Sequence, residues 1–424
     1  MNIPHSWLET TLSTVCDVIL GQSPPGSAYN DNRHGLPFFQ GKAEFGALYP
    51  TARKWTTEGS KHAHPGDVLV SVRAPVGPTN LAPFDCVIGR GLAALRPTAV
   101  TTTRFVLYQI RATEDRLSSI ATGSTFSAIS GDQLRNHRFV LPPLPEQERI
   151  VAVIEEQVSR LDTAEQLLRS ARRRADRMRA VALAAVTPAD CKWTTLGEIA
   201  EIVGGVTKDS KRQSDPSFVE MPYLRVANVQ RGYLDLREVT TIRVSPEKAK
   251  ALRLEPGDIL FNEGGDRDKL GRGWIWQGEI DDCIHQNHVF RARLLTDAAD
   301  PKYISLHGNT FGQQWFEKMG KQTTNLASIN LKTLKSFPVP DLPVEEQHRI
   351  VAEVERRLTI LESLSTAIDH ALTRSDHLRR SILESAFTGK LVPQASDDEP
   401  AFDLLARIAS DHRKTAKPRR RQRA

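Results

Sequence analysis

A chain of 424 residues has room for roughly two to four domains, and its 39% hydrophobic and 25% charged residues suit a globular protein with real cores. No apolar run approaches the roughly 20 residues of a membrane helix, and Met1 to Trp7 lacks the basic and apolar stretches of a signal peptide, so a cytoplasmic protein is expected. Cys16, Cys86, Cys191 and Cys283 form no CxxC pair, which argues against a disulfide framework or structural zinc, while a net charge of +6 admits a polyanion partner only weakly.

In chain order, Trp7 with Leu12, Val15, Val18 and Gly21 opens a region of short strands separated by Gly, Pro and Asn turns. Pro37-Phe38-Phe39-Gln40 follows, then Pro65-Gly66-Asp67-Val68-Leu69, where a Gly-Asp turn launches a β-branched strand. A helix is predicted near Phe105 to Ile120, before Gly123-Ser124-Thr125-Phe126-Ser127-Ala128-Ile129. Pro142, Pro143 and Pro145 then set the start of a long helix carrying Glu146-Gln147-Glu148-Arg149-Ile150-Val151-Ala152. Its seam runs Ile150, Ile154, Gln157, Leu161, Ala164, Leu168, Ala171, Ala175, Met178, Ala182, Ala185, in alternating steps of four and three, and Pro188 marks its end.

The same order recurs at an offset of about 200 residues, the long period of a duplicated module. Trp193 with Leu196, Ile199, Ile202 and Gly205 leads to Pro222-Tyr223-Leu224-Arg225 and Pro256-Gly257-Asp258-Ile259-Leu260. A helix near Pro301 to Met319 precedes Thr323-Thr324-Asn325-Leu326-Ala327-Ser328-Ile329, and then comes Glu346-Gln347-His348-Arg349-Ile350-Val351-Ala352. The second seam is Ile350, Val354, Arg357, Leu361, Leu364, Ile368, Ala371, Ser375, Leu378, Ile382, Ser385, ending near Gly389. The fold class is therefore α+β: two mixed α/β domains separated by two long helices, each on the order of 40 residues and 60 Å, in an internal repeat. A narrow seam favours pairing of the two helices in a coiled coil; the alternative is two separate amphipathic helices, each packed on its own domain.

Variable domain, long helix, second variable domain, second long helix resembles the specificity subunit of type I restriction-modification systems. The segment from Pro142 to Val151 is similar to that family's start of its first conserved helix, and Leu378 to Pro393 to the exit from its second. The first helix departs from the pattern at its end: Ala185-Val186-Thr187-Pro188-Ala189-Asp190 stands where the second copy has Ala386-Phe387-Thr388-Gly389-Lys390-Leu391, so the Gly-Lys-Leu element is missing. The resemblance implies target-recognition domains at 1–144 and 188–342, conserved spacer helices at 145–187 and 343–390, and a basic disordered tail at 391–424. It implies that the helices pair as an antiparallel coiled coil with the internal repeat pseudo-two-fold, set the spacer between two halves of a bipartite asymmetric DNA target, and dock two methylation subunits. Restriction or motor subunits are possible further partners. S-adenosylmethionine is expected on the methylation subunits and no cofactor on this chain.

Readers of base edges are Arg, Lys, Asn, Gln, Ser and Thr presented from loops. The candidates are Gln22, Ser23, Tyr29, Lys42, Arg73, Arg90, Ser124 and Thr125 in the first domain. In the second they are Lys208, Arg225, Asn228, Asn262, Arg267, Arg272, Asn287, Thr324 and Asn325. For any one of them a solvated surface position is the plainer reading. The run Arg169, Arg172, Arg173, Arg174, Arg177, Arg179 is a solvated flank, a partner contact or a DNA-backbone contact. The basic tail solubilises or attracts phosphate.

No catalytic residue is expected. The sequence has no Gly-x-Gly-x-x-Gly at a strand-helix junction, no Walker loop and no Asn/Asp-Pro-Pro-Tyr/Phe tetrapeptide; Ser23-Pro24-Pro25-Gly26 lacks both ends of the last. Cys283, His285 and His288 want a fourth metal ligand, and Asp266, Asp268 and Lys269 on a Gly-rich loop are weak evidence for a nuclease. The rival readings are an enzyme with its own nuclease or methyltransferase activity, and a coiled-coil protein-protein adaptor.

Overall fold

The computed structural model describes residues 3–122, 127–210, 213–265, 269–322 and 327–415. The chain divides into two compact units, Met1–Leu168 with His370–Ala424, and Arg169–Asp369. Each contains one α+β domain and part of each long helix.

In the first domain the strands Cys16–Leu20, Leu92–Pro97, Val68–Ser71 and Thr79–Leu81 form a four-stranded antiparallel sheet in that order. The second domain repeats the order with Ala200–Gly204, Val289–Leu294, Ile259–Asn262 and Gly273–Ile275. Both sheets are covered on both faces, which strand periodicity explains. Val68, Val70, Ala93 and Leu95 point into one core and Leu69, Leu92 and Ala94 into another. In the second domain Ile259, Phe261, Phe290 and Ala292 face one core, and Leu260 and Val289 the other. A second sheet in each domain carries one parallel pair at matching places, Phe38 beside Val87 and Tyr223 beside Ile284.

The shared Gly-Asp turns do more than launch strands. Asp67 accepts two hydrogen bonds from Arg96 at 3.0 and 2.8 Å, and Asp258 two from Arg293 at 2.8 Å. Each aspartate also accepts from a turn N–H, His64 and Glu255 respectively. The buried carboxylates thus clamp turn to neighbouring strand. Where the sequence predicts one helix before each of the segments 123–129 and 323–329, there are two: Thr103–Ala112 with Glu114–Ser119, and Pro301–Asn309 with Phe311–Met319. At both breaks a threonine hydroxyl, Thr113 or Thr310, donates back to carbonyls three and four residues earlier and competes with the helical ladder.

The first strand of each domain pairs with its last, Leu8–Thr11 with Arg138–Leu141 and Lys192–Thr195 with Pro338–Asp341. From there the chain enters the long helices Leu144–Ala184 (41 residues) and Val344–Ala386 (43 residues). A buried glutamine fastens each helix start. Gln147 accepts from Thr101 Oγ1 and Thr102 N–H and donates to the carbonyls of Val100 and Pro142, at 2.9 to 3.1 Å. Gln347 accepts from Asp300 N–H and donates to the carbonyls of Ala298 and Leu342.

Within each unit the two helices run antiparallel. In the first, Arg379 donates to Asp162 at 2.7 Å and to Glu165 at 3.0 Å, and Ser375 donates to Glu165 at 2.8 Å. In the second, Arg172 donates to Asp369 at 2.9 Å and to the Ser365 carbonyl at 3.2 Å, while Leu183 and Val186 share a core with Val351, Val354 and Leu358. The predicted seam is half right. Ile150, Ile154, Val354, Leu361 and Ile368 are buried, and Leu161, Leu168, Ile350 and Ile382 partly so. Met178, Leu364 and Leu378 are not seam residues; they are 60%, 43% and 44% exposed. The alternate seam position falls one residue later, at Val158, Glu165 and Arg172 and at Leu358, Ser365, Leu372 and Arg379. Apolarity alone favoured the wrong register because three of these half-buried slots hold Glu165, Arg172 and Arg379, charged side chains whose stems pack while their heads pair.

The tail is also corrected. Residues 391–415 are not disordered: Ala401–Thr415 is a helix, and Val392, Ala401 and Leu404 lie in the core of the first domain. Arg149 pairs with Asp398 at 2.6 Å and Gln394 donates to Glu146 at 2.7 Å. The basic excess after Ser410 hid an amphipathic set, Ala401, Leu404, Leu405 and Ile408, at helical spacing. Residues 416–424 lie outside the described residues.

Replacing Gln147 by Leu leaves buried carbonyls and an N–H unpaired, and should lower the unfolding free energy by about 2 kcal/mol in urea titration. A change below about 0.5 kcal/mol would mean the amide is not the fastener described.

Candidate nucleic-acid interface

Four chain segments converge at one end of the four-stranded sheet in each domain. In the first, Gly21 N–H donates to Leu92 O, Gln22 N–H to Ile88 O, Val72 N–H to Gly91 O and Ile129 N–H to Val72 O, all at 2.9 to 3.0 Å. In the second, Val206 N–H donates to His285 O, Glu263 N–H to His288 O and Ile329 N–H to Glu263 O, at 2.8 to 2.9 Å. Glycine is required at the first of these bends. A Cβ on Gly21 would stand 2.1 Å from the Gly89 carbonyl oxygen, and one on Gly205 2.1 Å from that of His285.

Four candidates of the first domain meet here. Arg73 and Arg90 are exposed and line one cavity of about 220 Å³ with Gly21 and Val72. Gln22 accepts from Ser60 Oγ at 3.3 Å, and Ser23 Oγ accepts from the Arg90 N–H at 3.4 Å. Tyr29 and Lys42 do not line that cavity: Tyr29 stacks on Phe38 and donates its hydroxyl proton to the Pro24 carbonyl, and Lys42 stands exposed on the turn Lys42–Glu44.

In the second domain Asn287 lies at the equivalent edge, its amide 3.4 Å from His288 Nε2, and Lys208 is exposed nearby in sequence after Val206. Arg225 lines a separate cavity of about 380 Å³ with Asp235, Arg237 and Glu238, and Arg272 donates to the Val226 carbonyl. Asn228 and Asn262 are corrections. Asn228 is buried and spent on backbone, on Asp235 O, Glu238 O and Arg225 N–H; Asn262 is fully buried, its amide group donating to Val226 O and Val229 O and its Oδ1 enclosed, so neither side chain reaches the surface to meet a base. Ser124, Thr125, Arg267, Thr324 and Asn325 lie outside the described residues, as do Asp266 and Asp268.

Sequence reading missed Glu263, whose carboxylate pairs with His288 Nδ1 at this edge. The signal was available in the repeat, since Glu263 follows the strand Ile259–Asn262 as Val72 follows Val68–Ser71. Of the arginine run on the first helix, Arg172 is committed to Asp369, whereas Arg173, Arg174, Arg177 and Arg179 are exposed. Among the described residues no group of three or more His, Cys, Asp or Glu is placed to hold a metal. Cys283 and His285 are interior groups: burial pushes the Cys283 thiol up to about 12 and the His285 imidazole down to about 4.

Comparison with known proteins gives one consistent answer. The profile described as type I restriction modification DNA specificity domain matches residues 4–170 and again 188–372. A putative type I restriction enzyme MjaX specificity subunit of Methanocaldococcus jannaschii is 40% identical over 151 residues, 35% of this chain and 36% of that one. The type I restriction enzyme EcoKI specificity subunit of Escherichia coli K12 is 23% identical over 434 residues, 95% of this chain and 93% of its own. Two solved structures share the fold. A chain from a study of complex assembly and conformational transition of the type I R-M system has a TM-score of 0.70 at 20% identity, covering 92% of this chain and 100% of that one. The HsdS subunit of Thermoanaerobacter tengcongensis has a TM-score of 0.60 at 19% identity, covering 92% and 99%.

Burial holds three histidines, His137, His285 and His307, near 4, well below the ordinary imidazole value of 6.5. Unfolding lets each take a proton at higher pH, so their contribution to stability is full above about 6.5 and is lost as pH falls toward about 4. Thermal melts between pH 7 and 4.5 should show Tm falling with acid. The phenylalanine variant of His307 should flatten that slope, and an unchanged slope would refute the assignment.

Proposed function

The chain belongs to the type I restriction-modification DNA specificity family, and from that premise we propose how it works: each domain reads one half of a bipartite, asymmetric DNA sequence, and the paired long helices set the unspecified spacer between the halves. The observation that carries this reading is the double family match, at 4–170 and 188–372, on two domains with the same strand order and different exposed side chains. A common frame with unlike surfaces suits an asymmetric target, because a symmetric protein would favour a palindrome. Helices of 41 and 43 residues reach about 60 Å, enough to keep two readers about 34 Å, one turn of DNA, apart on one face of the duplex.

The helices also dock two methylation subunits in this reading. Leu167, Met178 and Val181 on one and Ile360, Leu364 and Leu378 on the other are exposed apolar side chains, the kind of surface that a protein partner covers. The methylation subunits carry S-adenosylmethionine and the chemistry, restriction or motor subunits are further candidate partners, and the complex works in the cytoplasm. This chain contributes selection and no catalysis, in keeping with a sequence that has neither a nucleotide-binding loop nor a methyltransferase tetrapeptide. No helix among the described residues is long and apolar enough to cross a membrane.

Genome-wide mapping of methylated adenines in cells with and without the gene tests the role. A bipartite motif should be methylated in its presence and vanish on deletion. An unchanged methylation map, or methyl transfer or cutting of DNA by the purified chain alone, would reject it.

A further inference from the structure

At the sheet end described above, backbone hydrogen bonds make the two domains equivalent residue by residue. Val72 N–H bonds Gly91 O as Glu263 N–H bonds His288 O, and Ile129 N–H reaches Val72 O as Ile329 N–H reaches Glu263 O. Val72 therefore corresponds to Glu263 and Gly91 to His288. One residue along the chain, Arg73 corresponds to Gly264 and Arg90 to Asn287. Strand register agrees, since Leu92 faces Ser71 where Val289 faces Asn262.

On this common frame the chemistry is inverted. The first domain presents two guanidinium groups, Arg73 and Arg90, around one cavity. Both are exposed and neither has a side-chain partner among the described residues, so neither holds the fold together. Together they offer only donors, in planar forks suited to a pair of acceptors. The second domain has no cation at those two places. It presents the Glu263 carboxylate, held through one oxygen by His288 Nδ1, with the Asn287 amide beside His288 Nε2. Glu263 stands where the first domain has the buried Val72, and a carboxylate at a DNA-reading edge, repelled by phosphates, would serve that role by accepting a hydrogen bond from a base.

We infer that this sheet end is the base-reading site of each domain and that the two domains demand opposite base chemistries. The first selects guanine, whose O6 and N7 accept the forks of Arg73 and Arg90. The second selects an exocyclic amino group, that of adenine or cytosine, through Glu263 and Asn287, with His288 a positioning residue that fixes the carboxylate. The inference rests on the DNA-reading role proposed above and adds which groups read which edge.

The test is the methylated-adenine map of cells carrying the complete system with the double variant R73K/R90K, or with E263Q. Lysine keeps the positive charge that would serve a phosphate contact but loses the fork, and glutamine keeps the shape of glutamate. R73K/R90K should relax the guanine requirement about tenfold at one or two base pairs of one half-site, leaving the other half intact. E263Q should relax about tenfold a position in the other half only. Should the double variant abolish methylation, R73K and R90K made singly carry the same expectation. Unchanged base preferences with a uniform fall in methylation, or relaxation of the same half-site by both variants, would overturn the inference while leaving the DNA-reading role standing. A wild-type map with no bipartite motif would overturn that role, and this inference with it.

Discussion

A carboxamide buried at the start of a helix must find partners for its oxygen and its two N–H groups, since leaving them unpaired costs about 1 to 3 kcal/mol. Gln147 and Gln347 solve this by reaching into the chain just before the helices Thr103–Ala112 and Pro301–Asn309 and into the prolyl lead-in of their own helix. The bonds fix the direction in which each long helix leaves its domain. Rotating either helix would strand several polar groups at once. Whatever the domain reads is thereby tied to the axis of the helix that carries it.

Above that joint the two domains divide into frame and surface. The frame is a sheet buried on both faces, with a turn clamped by an aspartate-arginine pair, Asp67 with Arg96 and Asp258 with Arg293. The surface consists of the segments leaving the sheet end, where several backbone bonds recur in both copies while the side chains differ. Glycines at 21 and 205 allow the close approach that lets those segments share one frame. Changing Arg73 or Glu263 therefore alters chemistry without asking the sheet to move.

Much of this was legible in the sequence because duplication writes each structural rule twice. The matching Glu-Gln-x-Arg-Ile-Val-Ala segments gave the long helices, and the paired Pro-Gly-Asp turns gave the central strands. What was not legible depended on contacts between residues distant in the chain. Which of two adjacent heptad positions faces inward turned on Arg379 meeting Asp162 and Arg172 meeting Asp369. Asn228 and Asn262 have the right groups for base edges, yet the fold uses them to satisfy carbonyls. The tail looked like a charged end because its few apolar residues acquire meaning only against the core formed by Trp7 and Phe387. Glu263 was overlooked since a carboxylate is not an obvious DNA-facing residue until its equivalence with Val72 is seen.

The proposed spacing by the helices predicts a length relation between protein and DNA. Insertion of 21 residues after Leu168 and 21 after Asp369 lengthens both helices by three heptads, about 32 Å, close to the ~34 Å of one DNA turn, and keeps both readers on one face. In the map of methylated adenines both half-sites should keep their sequences while the spacer between them grows by about nine or ten base pairs. Half-sites that stay intact at the original spacing would contradict a spacer set by these helices.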